Sequence, residues 1–338
     1  FPGQELVLSF QQEKLGSLPV GGYAYPEIST SLLRQTLPFL TTIAPFTYGI
    51  TPQGGLIPPN DQALIDAAKS MEVRPLLHLS TLTQAGTFSN ELANTILTDR
   101  AIQNRLIGNL LEMIQQKGYQ GLDVDFEFVY PEDASAYAAF ITRLRESLSP
   151  LGFPVFVALV PKISAAQQGE LYEGHDYRLL GEAADFVFLM TYEWGYTYGP
   201  PMAVAPLRNV RLVVEYALTE IPAEKIWMGI PNYGYDWTLP FRQGSRAQSI
   251  SNQEAVSLAV QNRVAIRFDQ AAQSPWFRYV DEQGREHEVW FEDARSIQAK
   301  LALAREYSLY GVSYWNLMRP FPQNWAVVNS LYEIPPGV

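Results

Sequence analysis

The 338-residue chain contains no cysteine and only three histidines. Disulfides, zinc–thiolate sites and thiol nucleophiles are therefore excluded. Uninterrupted apolar runs fall short of the ~18 residues that span a bilayer. The start at Phe1 shows no basic region followed by an apolar stretch, so no signal peptide is read, and with no initiator Met a trimmed chain is expected. Basic residues are scarce, with 24 Lys and Arg against 35 Asp and Glu and a net charge of −11. Such a surface gains nothing from nucleic-acid phosphates or an anionic membrane, so neither is expected as a partner. Gly-rich phosphate loops, Ser-His-Asp groupings and metal-ligand spacings are missing too, and no cofactor or metal is expected. What is present is 47% hydrophobic residues, ordinary for a chain that buries a core. The aromatic share is 13%, with 19 Tyr and 7 Trp. Rings with an apolar face and a polar handle suit a flat polar ligand such as a sugar, although a large core absorbs most of them.

At ~150 residues per domain the length allows two ordinary domains or one large α/β barrel. Short β-rich runs alternate with helical stretches from end to end, the pattern of a parallel sheet. The expected strands are Gly22 to Tyr25, Ile43 to Gly49, Pro75 to Leu79, Gly121 to Phe128, Pro154 to Leu159, Phe186 to Tyr192, Ile226 to Ile230 and Gly311 to Leu317. Between them, Ile102, Leu106, Leu110 and Ile114 recur at helical spacing up to Gly118, which can take a left-handed C-terminal turn. Tyr137, Phe140, Ile141, Leu144 and Leu148 form a second stripe, opened by Asp133 as a side-chain cap and closed by Pro150. Eight strands with intervening helices match a closed (β/α)8 TIM barrel, with an open doubly wound sheet as the alternative. The stretch from the seventh strand to the eighth is too long for one loop and helix, so residues 237–291 are read as an α+β insertion subdomain. It carries a hairpin turned at Asp281-Glu282-Gln283-Gly284 and is expected to wall the active site. The barrel is then 18–236 plus 292–338, and residues 1–17 are read as a linker remnant.

In Asp123-Val124-Asp125-Phe126-Glu127, acid and apolar residues alternate. On a strand this puts three carboxylates on one face, successive ones roughly 7 Å apart, and sends Val124 and Phe126 to the other. Like charges in a partly dry site push at least one pKa upward, leaving a protonated acid at neutral pH. Barrel strands aim their C-terminal ends at the active site, which makes Glu127 the natural reacting group. An exposed acidic strand face and a divalent metal site are the other readings, the second without a further acid or His to complete a coordination sphere.

The run Gly121-Leu122-Asp123-Val124-Asp125-Phe126-Glu127 resembles the DGxDxDxE signature of glycoside hydrolase family 18, TIM barrels that cleave β-1,4 bonds next to N-acetylglucosamine. Gln120 stands where the long form of the motif begins with Asp. Met190-Thr191-Tyr192-Glu193-Trp194-Gly195, Gly234-Tyr235-Asp236-Trp237 and Gly311-Val312-Ser313-Tyr314-Trp315 are similar to the sixth-, seventh- and eighth-strand ends of the bacterial spore-germination, cortical-fragment-lytic N-acetylglucosaminidases. The resemblance implies retaining hydrolysis in which the substrate's own 2-acetamido group is the nucleophile, since family 18 departs from the two-carboxylate scheme. Glu127 would then be the acid and base, Asp125 would orient the acetamido N–H, Asp123 would share a proton or hydrogen bond with Asp125, and Tyr192 would donate its phenol to the acetyl carbonyl. Trp315 would floor the sugar, with Glu193, Trp194, Tyr23, Tyr235 and Met190 as further sugar-binding candidates. His78 reads as a hydrogen-bonded barrel residue, and His175 and His287 as surface or fold residues. The implied substrate is peptidoglycan or another N-acetylglucosamine polymer, met at the spore or cell wall, outside the cytoplasm. A chitinase or a non-catalytic chitinase-like sugar-binding protein is the alternative, the latter disfavoured because such lectins lack the acid that Glu127 supplies. Pro2-Gly3-Gln4 followed by Leu6-Val7-Leu8 is similar to the end of a peptidoglycan-binding LysM module, so such a module is expected upstream.

Overall fold

The computed structural model describes residues 13–83 and 87–337. The reading of residues 2–8 as the end of a LysM module lies outside the described residues, as does most of the expected linker. Residues 15–18, by contrast, are tied to the chain's other end: Leu15 N–H donates to the Leu331 carbonyl (2.7 Å) and Leu18 N–H to that of Glu333 (2.9 Å).

Eight parallel strands form the barrel wall. They are Val20–Ala24, Thr42–Pro45, a third in two pieces at Arg74–Pro75 and Leu77–Ser80, then Leu122–Asp125, Val155–Leu159, Phe186–Leu189, Ile226–Pro231 and Gly311–Trp315. The third strand closes the ring. Leu76 N–H donates to Ile43 of the second strand and Leu77 N–H to Gly121, just before the fourth (both 2.9 Å). Successive residues of an extended chain point their amides to opposite sides, so one strand can bond to both neighbours. With no free edge, the sheet is the expected TIM barrel and not an open doubly wound sheet.

Helices pack around the outside. The stripe Leu106, Leu110 and Ile114 is fully buried in Arg100–Lys117, and Gly118 ends that helix at φ 78°. The helix Ala134–Leu148 forms where the second stripe stands, but Asp133 does not cap it with its side chain. A one-turn 3-10 helix, Pro131–Asp133, runs straight into it. Asp133 is therefore already in the right-handed helical region (φ −91°, ψ −3°), and its carboxylate accepts from Asn94 Nδ2 at 2.8 Å instead.

Between the seventh and eighth barrel strands the chain folds into a five-stranded antiparallel sheet, starting at Gly234–Thr238 and ending at Glu286–Trp290, with the helix Asn252–Gln261 packed on it. It thus begins slightly ahead of Trp237, the expected boundary. Strands Ser274–Val280 and Glu286–Trp290 form its hairpin, turned at Gly284 with φ 76°. The helix–sheet interface holds a core of its own, built on Ile250, Ala255, Phe277, Val289 and Phe291.

Candidate active site

Three carboxylates of one strand and its extension decide the site. Leu122–Asp125 is shorter than the Gly121 to Phe128 run expected, because neighbouring strands offer no pairing beyond Asp125. Asp123 and Asp125 point into the barrel and are 1% and 5% exposed. Phe126 faces outward and stacks on Tyr137 with ring centroids 5.5 Å apart. Glu127 lies just past the last paired residue and lines the open cleft. The expected alternation therefore holds in space: acids inward, Val124 and Phe126 buried on the helix side.

Burial sets the charge state of these acids. Removing a carboxylate from water favours its neutral form. Asp123 is pushed up to about 6, mainly by desolvation and also by the Asp125 charge, against a lowering influence from His78 and Tyr23. Asp125 is raised by desolvation. Glu127 is raised by desolvation and by the charges of Asp125 and Glu193. One oxygen of Asp125 is buried without a hydrogen-bond donor, and the donor that faces Asp123 is the Tyr23 phenol. A group in that position keeps a proton that an exposed acid would lose.

Two histidines that the sequence left among barrel and fold residues meet this strand. His78 sits beside Asp123 and Asp125, its Nε2 lying 3.5 Å from Asp125 Oδ2 and 3.9 Å from Asp123 Oδ2. Thr47 Oγ lies 2.6 Å from its Nδ1. Desolvation lowers its pKa to about 4, so the ring is neutral at pH 7. His175, fully buried, has Nε2 at 3.1 and 3.2 Å from the carbonyls of Phe126 and Glu127. Carbonyls only accept, so Nε2 carries the proton, and burial holds this ring neutral as well. His175 thereby fixes the backbone that carries Glu127. The signal available beforehand was only that His78 stands in an apolar run; His175, between Gly174 and Asp176, carried none.

Above the acids opens a cleft of about 590 Å³. Tyr23, Met190, Tyr192, Glu193 and Trp315 line it together with Asp125 and Glu127. Trp315 is wedged against Tyr23, Tyr25 and Phe46, with centroids 5.7, 6.2 and 5.0 Å away. Tyr192 is 8% exposed, and desolvation plus the nearby acids raise its pKa well above 10, so its phenol stays a donor. Its ring fits because residue 229 is glycine: a Cβ there would come within 2.8 Å of Tyr192 Cε1 and 2.5 Å of the Leu189 carbonyl oxygen. Glu193 takes a left-handed backbone (φ 67°). Its carboxylate accepts from Tyr233 and, at 3.1 and 3.3 Å, from Tyr235. Tyr235 thus lies behind Glu193, not on the wall of the main cleft. Trp194 is not on that wall either, and packs half-buried on the barrel core. His287 is bonded inside the subdomain, 2.8 Å from Asp236. Among the described residues, no group of three or more His, Asp or Glu side chains could hold a metal ion.

A raised-pKa acid at the C-terminal mouth of a closed barrel, beside a ring-lined cleft, defines a TIM-barrel glycosidase. A family model described as Glycosyl hydrolases family 18 matches residues 65–319, and the chain belongs to that family. It is 44% identical over 302 residues to the Cortical fragment-lytic enzyme of Bacillus subtilis (strain 168), covering 89% of this chain and 70% of the relative. The crystal structure of the Bacillus cereus spore cortex-lytic enzyme SleL superimposes with a TM-score of 0.93 at 40% identity, over 96% of this chain and 76% of that one. A chitinase from Chromobacterium violaceum superimposes with a TM-score of 0.86 at 26% identity, over 93% of this chain and 98% of the other.

Proposed function

We propose that this glycosidase hydrolyses the β-1,4 bond that follows N-acetylglucosamine in spore cortex peptidoglycan during germination, with retention and with help from the substrate's acetamido group. The observation that carries it is Glu127, a carboxyl whose pKa burial and neighbouring charge raise at the mouth of the barrel, in a chain whose relatives are named for cortex lysis.

Protonated Glu127 gives its proton to the glycosidic oxygen as the C1–O bond breaks. The acetamido carbonyl oxygen closes on C1 from the opposite side, forming an oxazolinium ion. Asp125 accepts from the acetamido N–H and offsets the positive charge, and Asp123 shares a proton or hydrogen bond with it. Tyr192 donates to the acetyl oxygen, holding it under C1. Trp315 is the apolar floor, and Met190, Tyr23 and Glu193 complete the wall around the ring. Glu127, now a carboxylate, takes a proton from water. The resulting hydroxide opens the oxazolinium at C1 and returns the acid to its starting state. Tyr235 serves the sugar through Glu193. The polymer is met outside the cytoplasm, at the spore or cell wall.

Product mass spectrometry tests this reading, using cortex fragments that contain muramic δ-lactam, chitooligosaccharides in parallel, and Glu127→Gln as control. New reducing-end N-acetylglucosamine, formed mainly from cortex and only by the parent protein, is the expected result. Cleavage of chitooligosaccharides alone would move the substrate to chitin, the choice that the chitinase likeness favours. Cleavage of neither would favour a sugar-binding role.

A further inference from the structure

Beyond Trp315 lies a second cavity of about 440 Å³. Tyr25, Glu193 and Trp315 belong to the walls of both cavities. A polymer with one ring on Trp315 therefore extends its next ring into this space, whose size is ordinary for a pocket holding a small ligand. Its far wall combines the subdomain, through Tyr233, Tyr235 and Ser249, with the loop after the eighth strand, through Arg319.

Arg319 is the one cation on that wall, and among the described residues no carboxylate stands within ion-pair distance of it. Its guanidinium is half-used. Nη1 donates to Ser249 Oγ (3.1 Å) and to the Ile250 carbonyl (2.7 Å), and Nη2 donates to the Ser249 carbonyl (3.3 Å). These bonds engage Nη1 twice and Nη2 once. Among the described residues Nε–H and the remaining Nη2–H have no acceptor, and such a pair can form a parallel donor fork of the kind that carboxylates take. The loop is anchored independently, since Asn232 Nδ2 donates to the Arg319 carbonyl at 2.9 Å. The other charge on the wall, Glu193, has its oxygens engaged by two phenols. In a chain of net charge −11, long-range fields repel an acidic substrate, so only a local cation can favour one.

We propose that the Arg319 cavity binds the muramic ring next to the cleaved N-acetylglucosamine and reads an acyl oxygen of that ring's 3-O-lactyl group, as open carboxylate or as δ-lactam carbonyl. This rests on the reading of the substrate as peptidoglycan, in which glucosamine and muramic rings alternate, so that either neighbour of the reacting ring carries the group.

Initial rates are measured on an alternating tetrasaccharide with free lactyl carboxylates, its methyl ester, its δ-lactam counterpart and chitotetraose. A charge-assisted forked contact is expected to give the parent protein a KM about 10- to 100-fold lower for the acid than for the ester. Arg319→Met should erase that difference and lower the ratio of kcat/KM for lactyl-bearing substrate over chitotetraose by a similar factor. Arg319→Lys, which keeps a charge but not the fork, should fall between. Preference for the lactam over chitotetraose that vanishes in Arg319→Met would identify the lactam carbonyl as the group read. Equal KM values for acid, ester, lactam and chitotetraose in the parent would overturn the proposal without any variant having to fold. So would an Arg319→Met loss as large on chitotetraose as on the lactyl substrates, the mark of a merely structural residue. Failure of the parent to cut any peptidoglycan fragment would instead sink the substrate reading itself, and this site with it.

Discussion

Buried carboxylates fall into two sets in this molecule. In and around the insertion subdomain they are matched. Asp236 accepts from Tyr279 at 2.6 Å and has His287 Nδ1 at 2.8 Å, while Glu292 takes both its oxygens to Lys300 at 3.0 and 2.8 Å. On the far side of the barrel Asp61 is likewise held, by Lys117 and Tyr119. On the fourth strand Asp125 keeps an oxygen without a donor, Asp123 has only the Tyr23 phenol, and His78, though 3.5 and 3.9 Å away, is too desolvated to carry a neutralising charge. A buried unmatched acid costs stability, so a fold that keeps two of them beside a cleft keeps them for chemistry. Acidic residues alone thus do not mark the site. Acids without partners do.

Four substitutions break or sharpen that contrast. Glu127→Gln removes the proton and is expected to lower kcat by about 1,000-fold without lowering the melting temperature, the size usual for a general acid; retained activity would put the acid elsewhere. Lys300→Met deprives Glu292 of its cation where the two side chains are 0% and 1% exposed. Loss of a buried partner costs about 3–5 kcal/mol, to be read from denaturant unfolding, and a loss well under 1 kcal/mol would erase the distinction between the two sets.

Asp123→Asn should act in the opposite sense. With Asp123 raised to about 6 in the folded chain, both states hold the proton below pH 4. Between there and pH 6 the unfolded chain ionises first, and stability is lost as pH rises. Across that interval the loss amounts to about 3 kcal/mol. The Asn variant is therefore expected to melt higher than the parent above pH 6 and to match it at pH 4; a variant less stable at every pH would show that Asp123 is a structural acid. The smallest effect is expected from Glu193→Gln. One of the charges that raise Glu127 disappears, so the alkaline limb of the kcat/KM profile should move to lower pH, by about one unit or less. A limb that stays or moves upward would separate Glu193 from Glu127.

Much of the barrel was legible because its signals are local. Periodicity located the helices Arg100–Lys117 and Ala134–Leu148, and apolar runs located all eight strands within a few residues. Their ends were less legible, since pairing stops where the neighbouring strand stops, as at Asp125. Asp133 showed the limit of a cap signal, because a preceding 3-10 turn carries its side chain to Asn94. Trp194 stood among the sugar-binding candidates as an aromatic of the run that resembles the family's sixth-strand end, yet its ring goes to the core.

By itself the sequence determined the alternation of Asp123, Val124, Asp125, Phe126 and Glu127, and with it which side chains share a face, because a strand's period of two is a property of the backbone alone. It likewise determined a parallel α/β architecture with a long interruption before the last strand. Only the tertiary structure decided how charged those acids are, since a pKa answers to burial and to groups such as His78 and Glu193, which stand 45 and 66 positions from Asp123 and Glu127 in the chain. Only it turned His175 onto the Glu127 carbonyl and Tyr233 onto Glu193, and left one edge of Arg319 open beside Trp315. Those contacts depend on closing the ring of strands and seating the subdomain on its rim, and no local pattern encodes a distance across a barrel.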